Sequence, residues 1–307
     1  MAVFNKILSD RRGGIGVAVL AGVLAVAAFL HAAAYWLRQE AEETQQRLVR
    51  RQLQLAVQAL AKSDFMDSTL QNSIELPPQK LYPGGYILRA GIDAEEQNGL
   101  ARYIISADAG GQSLALQQLK LNLPQDIAEL GRRYTLAAGK KLTGAENLPE
   151  GTAYADNLGG ILDSLDIKNY ANFKEMAFPT KTEFEEYGLS GALYYDDGHY
   201  SKSIAAASKN IKGQGCLVAM MSIFVADGTK IPDFCVIISD GQIEIGKNAV
   251  LGKVLLISKY DITIKSGASV SGIALCDGNL TIESGANFTR DETVLQPFIT
   301  ALRLKQQ

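Results

Sequence analysis

The chain has 307 residues, a formal net charge of −3 and three cysteines. This length leaves room for a membrane anchor and one or two globular domains. The charge is mixed and forms no basic stripe, which argues against a nucleic-acid-binding protein. Cys216, Cys235 and Cys276 form no CxxC pair, which argues against a zinc site and against a disulfide scaffold.

The first predicted element is a long helix with an apolar half. Residues 15–37 contain no Asp, Glu, Lys or Arg, and a helix of that length is about 34 Å long, enough to cross a bilayer core of about 30 Å. A cleaved signal sequence has a shorter apolar core, and a soluble core helix would show a polar face. Tyr35, Trp36 and Arg38 are typical of a membrane interface. The pattern therefore favours a retained anchor.

The helix is predicted to continue beyond the membrane. No Gly or Pro occurs between residues 23 and 76, and apolar residues recur there at helical spacing as one narrow stripe. Residues 15–65 are therefore assigned to one transmembrane helix with an amphipathic extension. The stripe contains Leu48, Val49, Leu53, Ala56, Val57 and Leu60.

Gly14, Ala18 and Gly22 recur at every fourth position of this helix. Small residues at that spacing allow two helices to approach closely inside a membrane. A generic alanine-rich span is the alternative interpretation.

The N-terminal residues carry a family resemblance. Arg11-Arg12-Gly13-Gly14-Ile15, followed by the apolar run and its amphipathic extension, resembles the N-terminus of type IV pilins and pseudopilins. In that family a basic leader, here residues 1–14, is cut after Gly by a prepilin peptidase on the cytoplasmic side. The resemblance implies processing at Gly13, Gly14 and Ile15. It also implies a single-pass protein of the cytoplasmic membrane with its N-terminus inside and its body outside, which enters a cell-surface filament. The family usually has Glu five residues after the cut, where this chain has Val19 or Ala18. Minor subunits share that departure.

A small antiparallel β region is predicted after the helix. Pro77 and Pro78 end the helix no later than residue 76. Residues 85–90, 102–107 and 113–121 alternate in polarity, and a turn at 108–111 separates the last two, which predicts a hairpin. A long helix followed by such a sheet is also what pilin-like subunits look like. From residue 124 to residue 191 only short helical and turn pieces are predicted, and residues 66–190 are assigned to a pilin-like mixed region.

The C-terminal part repeats the same apolar pattern three times, beginning at Ile243, Ile262 and Leu280. A fixed period with short alternating strands and Gly, Asn and Asp turns indicates a solenoid, in which each coil buries its apolar residues against the next. A β-sandwich with evenly spaced strands is the alternative. The predicted core positions are Ile243, Ile245, Leu251, Ile262, Ile264, Val270, Leu280, Ile282 and Phe288.

These elements together predict an α+β fold with three parts. They are a long N-terminal transmembrane and amphipathic helix, a small antiparallel β region, and a C-terminal parallel β-helix of about 18–19 residues per coil. The β-helix domain is assigned to residues 191–307, with residues 293–304 as a C-terminal cap that covers the last open edge. Cys216 and Cys235 are predicted to stack in adjacent coils as interior thiols, with a disulfide as the alternative in an oxidising compartment.

The repeat resembles two families. One is the bactofilins, whose small β-helices polymerise end to end. The other comprises pilin-like and adhesin-like surface proteins with a β-helical C-terminal domain.

No catalytic, cofactor-binding or metal-binding residue is predicted. His31 lies in the span, and His199 alone cannot supply a Ser–His–Asp set. Asp196 and Asp197 beside His199 are interpreted as a solvated turn rather than as metal ligands. Because some β-helices cleave polysaccharides, a surface polysaccharide-acting enzyme remains an alternative.

The predicted function is that of a non-enzymatic, membrane-anchored structural protein without a cofactor. It would be a minor pilin-like or pseudopilin-like subunit of a type IV pilus or a related secretion or competence filament. The expected partners are the membrane and other pilin-like subunits or further copies of the chain, with carbohydrate or another surface ligand as an additional candidate. A membrane-tethered, bactofilin-like polymer-forming scaffold is the first alternative.

Overall fold

The computed structural model describes residues 11–62, 73–80, 85–97, 99–146, 148, 151–156, 159–205 and 209–304, without the side chains of residues 11–18. The described chain divides into two compact units. The first unit contains residues 11–59, 76–80, 85–90 and 106–114, and the second contains the other described residues.

Helix α1 (Arg11–Ala61) is a single uninterrupted helix of 51 residues. Ala, Leu, Gln, Glu and Arg dominate it, and these residues have high helix propensity. The predicted continuous helix is therefore confirmed. Gly13, Gly14 and Ile15 lie in its first two turns, whereas the leader up to residue 10 lies outside the described residues.

An antiparallel sheet, called sheet A here, follows the helix. It contains β1 (Ile74–Glu75), β2 (Gln79–Lys80), β3 (Ile87–Gln97), β4 (Leu100–Ala109), β5 (Gln112–Leu121), β21 (Phe298–Ile299) and β22 (Arg303–Leu304). The strand order is β1-β3-β4-β5-β21, with β2 beside β3 and β22 beside β5. Gly110 and Gly111 both have positive φ at the turn between β4 and β5, a conformation that two-residue hairpin loops require. The predicted antiparallel region is confirmed.

A parallel β-solenoid of about eight coils forms the rest of the strand structure. Its larger sheet, sheet C, contains β6 (Leu136–Ala138), β8 (Ala153–Ala155), β9 (Met176–Ala177), β10 (Leu193–Asp196), β12 (Gly215–Ala219), β14 (Lys230–Ser239), β16 (Val250–Ser258), β18 (Ser269–Cys276) and β20 (Asn287–Arg290). Its smaller sheet, sheet D, contains β7 (Leu142–Thr143), β11 (Lys202–Ile204), β13 (Ile223–Val225), β15 (Ile243–Ile245), β17 (Ile262–Ile264) and β19 (Leu280–Ile282).

The length of the coils follows from the strand register. Ile223, Ile243, Ile262 and Leu280 pair in succession, so each of these coils is one residue shorter than the coil before it. The predicted β-helix is therefore confirmed. All nine predicted core positions are buried in one apolar cluster inside the solenoid, where each coil covers the side chains of the next.

One coil of the solenoid comes from a region in which the sequence predicted no strands. Strand β6 pairs with β18, β7 pairs with β19, and β8 pairs with β6. The backbone N–H of Gly139 donates to Cys276 O at 2.7 Å, and that of Leu280 donates to Lys141 O at 2.9 Å. The terminal coil, β6 to β8, therefore covers the edge that the last sequence repeat would expose.

The predicted C-terminal cap is wrong. Residues 293–304 do not cover the last coil, because β21 and β22 pair antiparallel with β5. Phe298 instead packs edge-to-face on Phe234, with ring centroids 5.7 Å apart. Since β6 and β7 already occupy the open edge, the C-terminal segment is free to extend sheet A.

Sheet C is covered on its outer face as well as its inner face. A second apolar cluster includes Val236, Leu255 and Ile273 of sheet C, together with Leu119 of β5. Helix α2 (Gln125–Arg133) and the 3₁₀ helices η1 (Ile167–Phe173) and η2 (Glu292–Leu295) contribute to the same layer. This double burial explains the nearly continuous apolar sequence of these strands.

The opposite end of the solenoid is covered by a short helix, α3 (Lys181–Tyr187), which contacts β11. A capping box between Thr180 and Glu183 starts the helix, an arrangement that satisfies two backbone donors at once. Phe184 is fully buried in the solenoid core and contacts Phe178 edge-to-face at 5.7 Å. Helix α3 therefore covers the solenoid at β11, whereas β8 and β7 are the outermost strands at the other end.

Candidate functional site

The apolar half of α1 exposes hydrophobic side chains on all sides. Val19, Leu24 and Leu30 are each 61% exposed. An 18-residue window of the helix reaches a mean hydropathy of 1.9, and none of that window is buried. The chain therefore has one N-terminal helix that is long and apolar enough to span a membrane.

The polar half of α1 begins next to two exposed aromatic residues, Tyr35 and Trp36. Directly after them, Arg38 Nε lies 3.1 Å from Glu42 Oε1 in an ion pair that is open to solvent. Aromatic rings followed by charge are typical of the boundary between hydrocarbon and headgroups. The surface of α1 thus changes from apolar to charged near residue 37.

The small-residue positions of the span lie on an open helix surface where they are described. A methyl group added at Gly22 would meet no atom within 4 Å. Gly14 and Ala18 belong to α1, but their side chains lie outside the described residues. Helix packing at these positions stays a prediction.

The polar half of α1 has one buried stripe. Val49, Leu53 and Val57 recur at every fourth residue and are at most 2% exposed. Beside Leu53 lies a groove of about 430 Å³, lined by Arg47, Arg50 and residues 112–114 among others. Gln112 Nε2 donates to the backbone oxygen of Gln46 at 3.3 Å across this unit.

A second apolar stripe of the same half has no cover. Leu48 and Leu55 are 40% and 56% exposed, and Ala41, also exposed, precedes Leu48 by seven residues. Seven residues make about two turns of an α-helix, so these side chains lie on one side of it. The predicted single stripe is therefore wrong for Leu48, which belongs to a separate, exposed stripe.

The polar half of α1 also carries exposed charged residues. Arg47 Nη2 lies 3.6 Å from Glu43 Oε2, and both side chains are largely exposed. Glu40, Arg50 and Arg51 are also exposed. The polar half therefore carries an acidic band followed by a basic band.

The two thiols predicted to stack do not stack. Cys216 pairs with Val236, and Cys235 pairs with Gly215, because the intervening coil is one residue longer than the spacing of the two cysteines. Neighbouring positions of a strand point to opposite faces. Cys235 accordingly lies in the solenoid core and Cys216 in the outer apolar layer.

Burial suppresses the reactivity of the three thiols. It raises the pKa of Cys216 well above its ordinary value, and it raises the pKa of Cys235 and of Cys276 to about 12. Because the thiolate is the reactive form of cysteine, these side chains act as small apolar groups in the folded chain.

A column of small polar side chains forms one corner of the solenoid. Ser239, Ser258 and Cys276 occupy equivalent positions in successive coils. Ser258 Oγ donates to Gly241 O at 2.7 Å and accepts from the backbone N–H of Tyr260 at 3.1 Å. Cys276 Sγ donates a longer, weaker hydrogen bond to Gly278 O at 3.7 Å. The column is difficult to recognise in the sequence, because the coils differ in length and its members are therefore not evenly spaced.

The residues around His199 do not assemble a reactive site. Asp196 Oδ1 pairs with Lys202 Nζ at 2.8 Å, and Asp196 Oδ2 accepts from the backbone N–H of Gly198 at 3.0 Å. Across the described ranges, no group of three or more His, Cys, Asp and Glu side chains could hold a metal ion. The carboxylate of Asp196 is thus used to hold its own turn.

Glu175 is a half-buried carboxylate that the sequence did not point to. It accepts hydrogen bonds from the backbone N–H of Leu193 at 3.0 Å and from Thr300 Oγ1 at 3.2 Å. Burial raises its pKa, although these hydrogen bonds and the charge of Arg303 oppose the shift. Glu175 therefore ties the C-terminal segment to the solenoid. A single Glu in an irregular segment gives no periodic signal for this role.

No protein-family model, curated protein or solved structure matched this chain.

Proposed function

We propose that this chain is a non-enzymatic, membrane-anchored structural subunit of a pilin-like assembly. The observation that carries the proposal is the surface of α1, which is apolar and uncovered in its first half and bears an uncovered apolar stripe in its second half. The first half suits a lipid environment, and the second suits a protein partner. One helix would thus both anchor the chain and join it to other subunits.

Two further features support a pilin-like subunit over other anchored proteins. The 51-residue helix is followed in the chain by an antiparallel sheet, the element order expected from the resemblance. The leader ends in Gly13-Gly14 before the apolar run. We therefore place the N-terminus inside, and the sheet and solenoid outside, the cytoplasmic membrane.

The solenoid favours this proposal over a polymer built from stacked β-helices. End-to-end growth needs free strand edges at both ends. Helix α3, with Phe184 buried in the core, covers the β11 end of the solenoid. A polysaccharide-acting enzyme has less support still, because several outward charges of the coils are paired with each other, as in Lys265 and Glu244 at 2.6 Å and Lys259 and Asp277 at 3.7 Å.

The proposal is tested by the N-terminal residue of the mature protein, measured by mass spectrometry of the membrane fraction. A chain that begins at Gly14 or Ile15 would support prepilin-type processing. Gly13→Val and Gly14→Val variants serve as a matched pair, because only the residue directly before the cut should block it. A mature chain that still begins at Met1 or Ala2 would contradict the proposal.

Orientation needs a separate measurement. A protease added to spheroplasts should digest the solenoid if the body lies outside the cytoplasmic membrane. Digestion only in inside-out vesicles would place the body in the cytoplasm and would favour the scaffold alternative.

A further inference from the structure

The outer face of sheet D is a polar surface of the solenoid that stays open to solvent. Sheet C carries a second apolar layer on its outer face, whereas every outward side chain of sheet D is partly exposed. The strand register stacks these side chains in a single column, with one member per coil and about 4.8 Å between members. This outer column consists of Ser203, Phe224, Glu244, Thr263, Thr281 and Thr143.

A second column of hydrogen-bonding side chains lies beside the outer column. Its members directly precede strands β13, β15, β17, β19 and β7, and they are Ser222, Gln242, Asp261, Asn279 and Lys141. Asp261 Oδ1 accepts from the backbone N–H of Asn279 at 2.7 Å and from Asn279 Nδ2 at 3.2 Å. Ser222 Oγ likewise accepts from the backbone N–H of Gln242 at 3.2 Å. The face therefore presents hydroxyl, amide and carboxylate groups that neighbouring coils hold in place.

Exposed tyrosine rings border this face at a corner of the solenoid. The corner column occupies the position two residues before each sheet D strand and consists of Tyr200, Met221, Gly241, Tyr260, Gly278 and Lys140. Tyr200 and Tyr260 are 82% and 65% exposed, and their positions lie three coils apart, or about 14 Å along the solenoid axis. Tyr260 stands between two glycines of the column, so no side chain of the column covers either face of its ring.

We propose that sheet D and its corner column bind an extended, uncharged β-1,4-linked polysaccharide that lies along the solenoid axis. A pyranose ring has a C–H face that stacks on an aromatic ring, and a rim of hydroxyl groups that bond to hydroxyl, amide and carboxylate side chains. Groups repeated in a straight line suit an extended chain of repeating sugar units. The inference goes beyond the proposed function, since it does not depend on processing of the leader.

The charges and polarity of the face argue against other occupants. Lys265 Nζ lies 2.6 Å from Glu244 Oε1, and Lys202 Nζ lies 2.8 Å from Asp196 Oδ1, so cations here are neutralised by anions of the same chain. A nucleic acid or an anionic polysaccharide would need unpaired basic groups. A protein partner or a lipid surface would need a contiguous apolar patch, whereas Phe224 is the one apolar member of the outer column.

The test is binding of the purified full chain, kept in detergent micelles, to β-1,4-linked oligomers of glucose and of N-acetylglucosamine, measured by isothermal titration calorimetry. In at least one series the affinity should rise from the disaccharide to the hexasaccharide, because a longer chain reaches more coils. Absence of binding in both series would overturn the inference. Equal affinity for all lengths would also overturn it, because it would show a pocket for one sugar unit, and so would tighter binding of heparin than of either series.

Two pairs of variants locate the bound chain on the solenoid. Tyr260→Ala should weaken hexasaccharide binding about five-fold, as the loss of one stacked ring would. Tyr187→Ala should not, because Tyr187 is similarly exposed but lies on α3. Thr263→Arg should abolish binding by placing a long side chain across the outer column, whereas Thr289→Arg should not, because Thr289 is exposed on β20 of sheet C. Equal effects of the two members of either pair would refute the assigned location.

Chemical modification of the unaltered chain gives a measurement that needs no variant. Tetranitromethane nitrates exposed tyrosine rings, and peptide mass spectrometry reports the nitration of each ring. Bound hexasaccharide should slow the nitration of Tyr200 and Tyr260 and leave that of Tyr187 unchanged. If the hexasaccharide binds but protects neither Tyr200 nor Tyr260, the sugar lies elsewhere and the inference is wrong.

Discussion

Replacing Gly144 with Ala should detach the terminal coil from the end of the solenoid. Gly144 has a φ of 79°, and an added Cβ would overlap the carbonyl oxygen of Ile282 in the neighbouring coil. Gly285 is the matched control, because its φ is 84° but the nearest atom to an added Cβ is 3.9 Å away. Both variants bear the cost of a left-handed alanine, about 1–2 kcal/mol. Only Gly144→Ala must also move β7 away from β19.

The additional cost of Gly144→Ala follows from the hydrogen bonds that β7 makes. The N–H of Leu280 donates to Lys141 O at 2.9 Å, and a buried backbone group that loses its partner costs about 1–3 kcal/mol. Amide hydrogen exchange should therefore accelerate about ten-fold or more in peptides that cover residues 278–282, and Gly285→Ala should not produce this change. Equal exchange in the two variants would refute the argument that the coil is held by close backbone approach.

Three further predictions concern buried polar and titratable groups. Ser258→Ala should lower the free energy of unfolding by about 1–3 kcal/mol, because the variant loses the three hydrogen bonds of a buried hydroxyl. Ser258→Cys should cost less, because Cys276 occupies the same column, and equal urea midpoints for the two variants would contradict this. Burial raises the pKa of Glu175, so the folded chain binds the proton of this carboxyl group more tightly than the unfolded chain does. The stability of the natural chain relative to Glu175→Gln should therefore fall as the pH rises from about 4 to about 7. Thermal unfolding midpoints of the two chains across that range measure this. A natural chain that becomes more stable relative to Glu175→Gln as the pH rises would contradict the prediction. Iodoacetamide at about pH 8 should leave Cys216 and Cys235 unlabelled until the chain is denatured, because the thiolate is the form that reacts, and mass spectrometry without reduction should find no disulfide between them.

The sequence was sufficient to predict the elements whose residue pattern continues over many consecutive positions. Helix α1 was predictable because a continuous apolar run and an amphipathic run follow each other without Gly or Pro. The solenoid was predictable because Ile243, Ile262 and Leu280 open copies of the same pattern. In both cases the signal extends over several turns or coils, so a local irregularity does not erase it.

Pairings between distant segments were not predictable. The terminal coil joins Leu142 to Leu280, which lie far apart in the sequence, and its strands are only two or three residues long, too short to show a period. The error at Cys216 has a related cause. One additional residue in a coil shifts the register by one position and moves a side chain to the opposite face of the sheet.

The exposed stripe of α1 shows where sequence and structure must be combined. Leu48 and Val49 are neighbours, and the helical pattern alone assigns both to the same apolar stripe. The structure separates them, because Val49 is 2% exposed and Leu48 is 40% exposed. Burial accounts for Val49, whereas Leu48 and Leu55 stay exposed, so spacing and burial are both needed to separate a core stripe from a surface stripe.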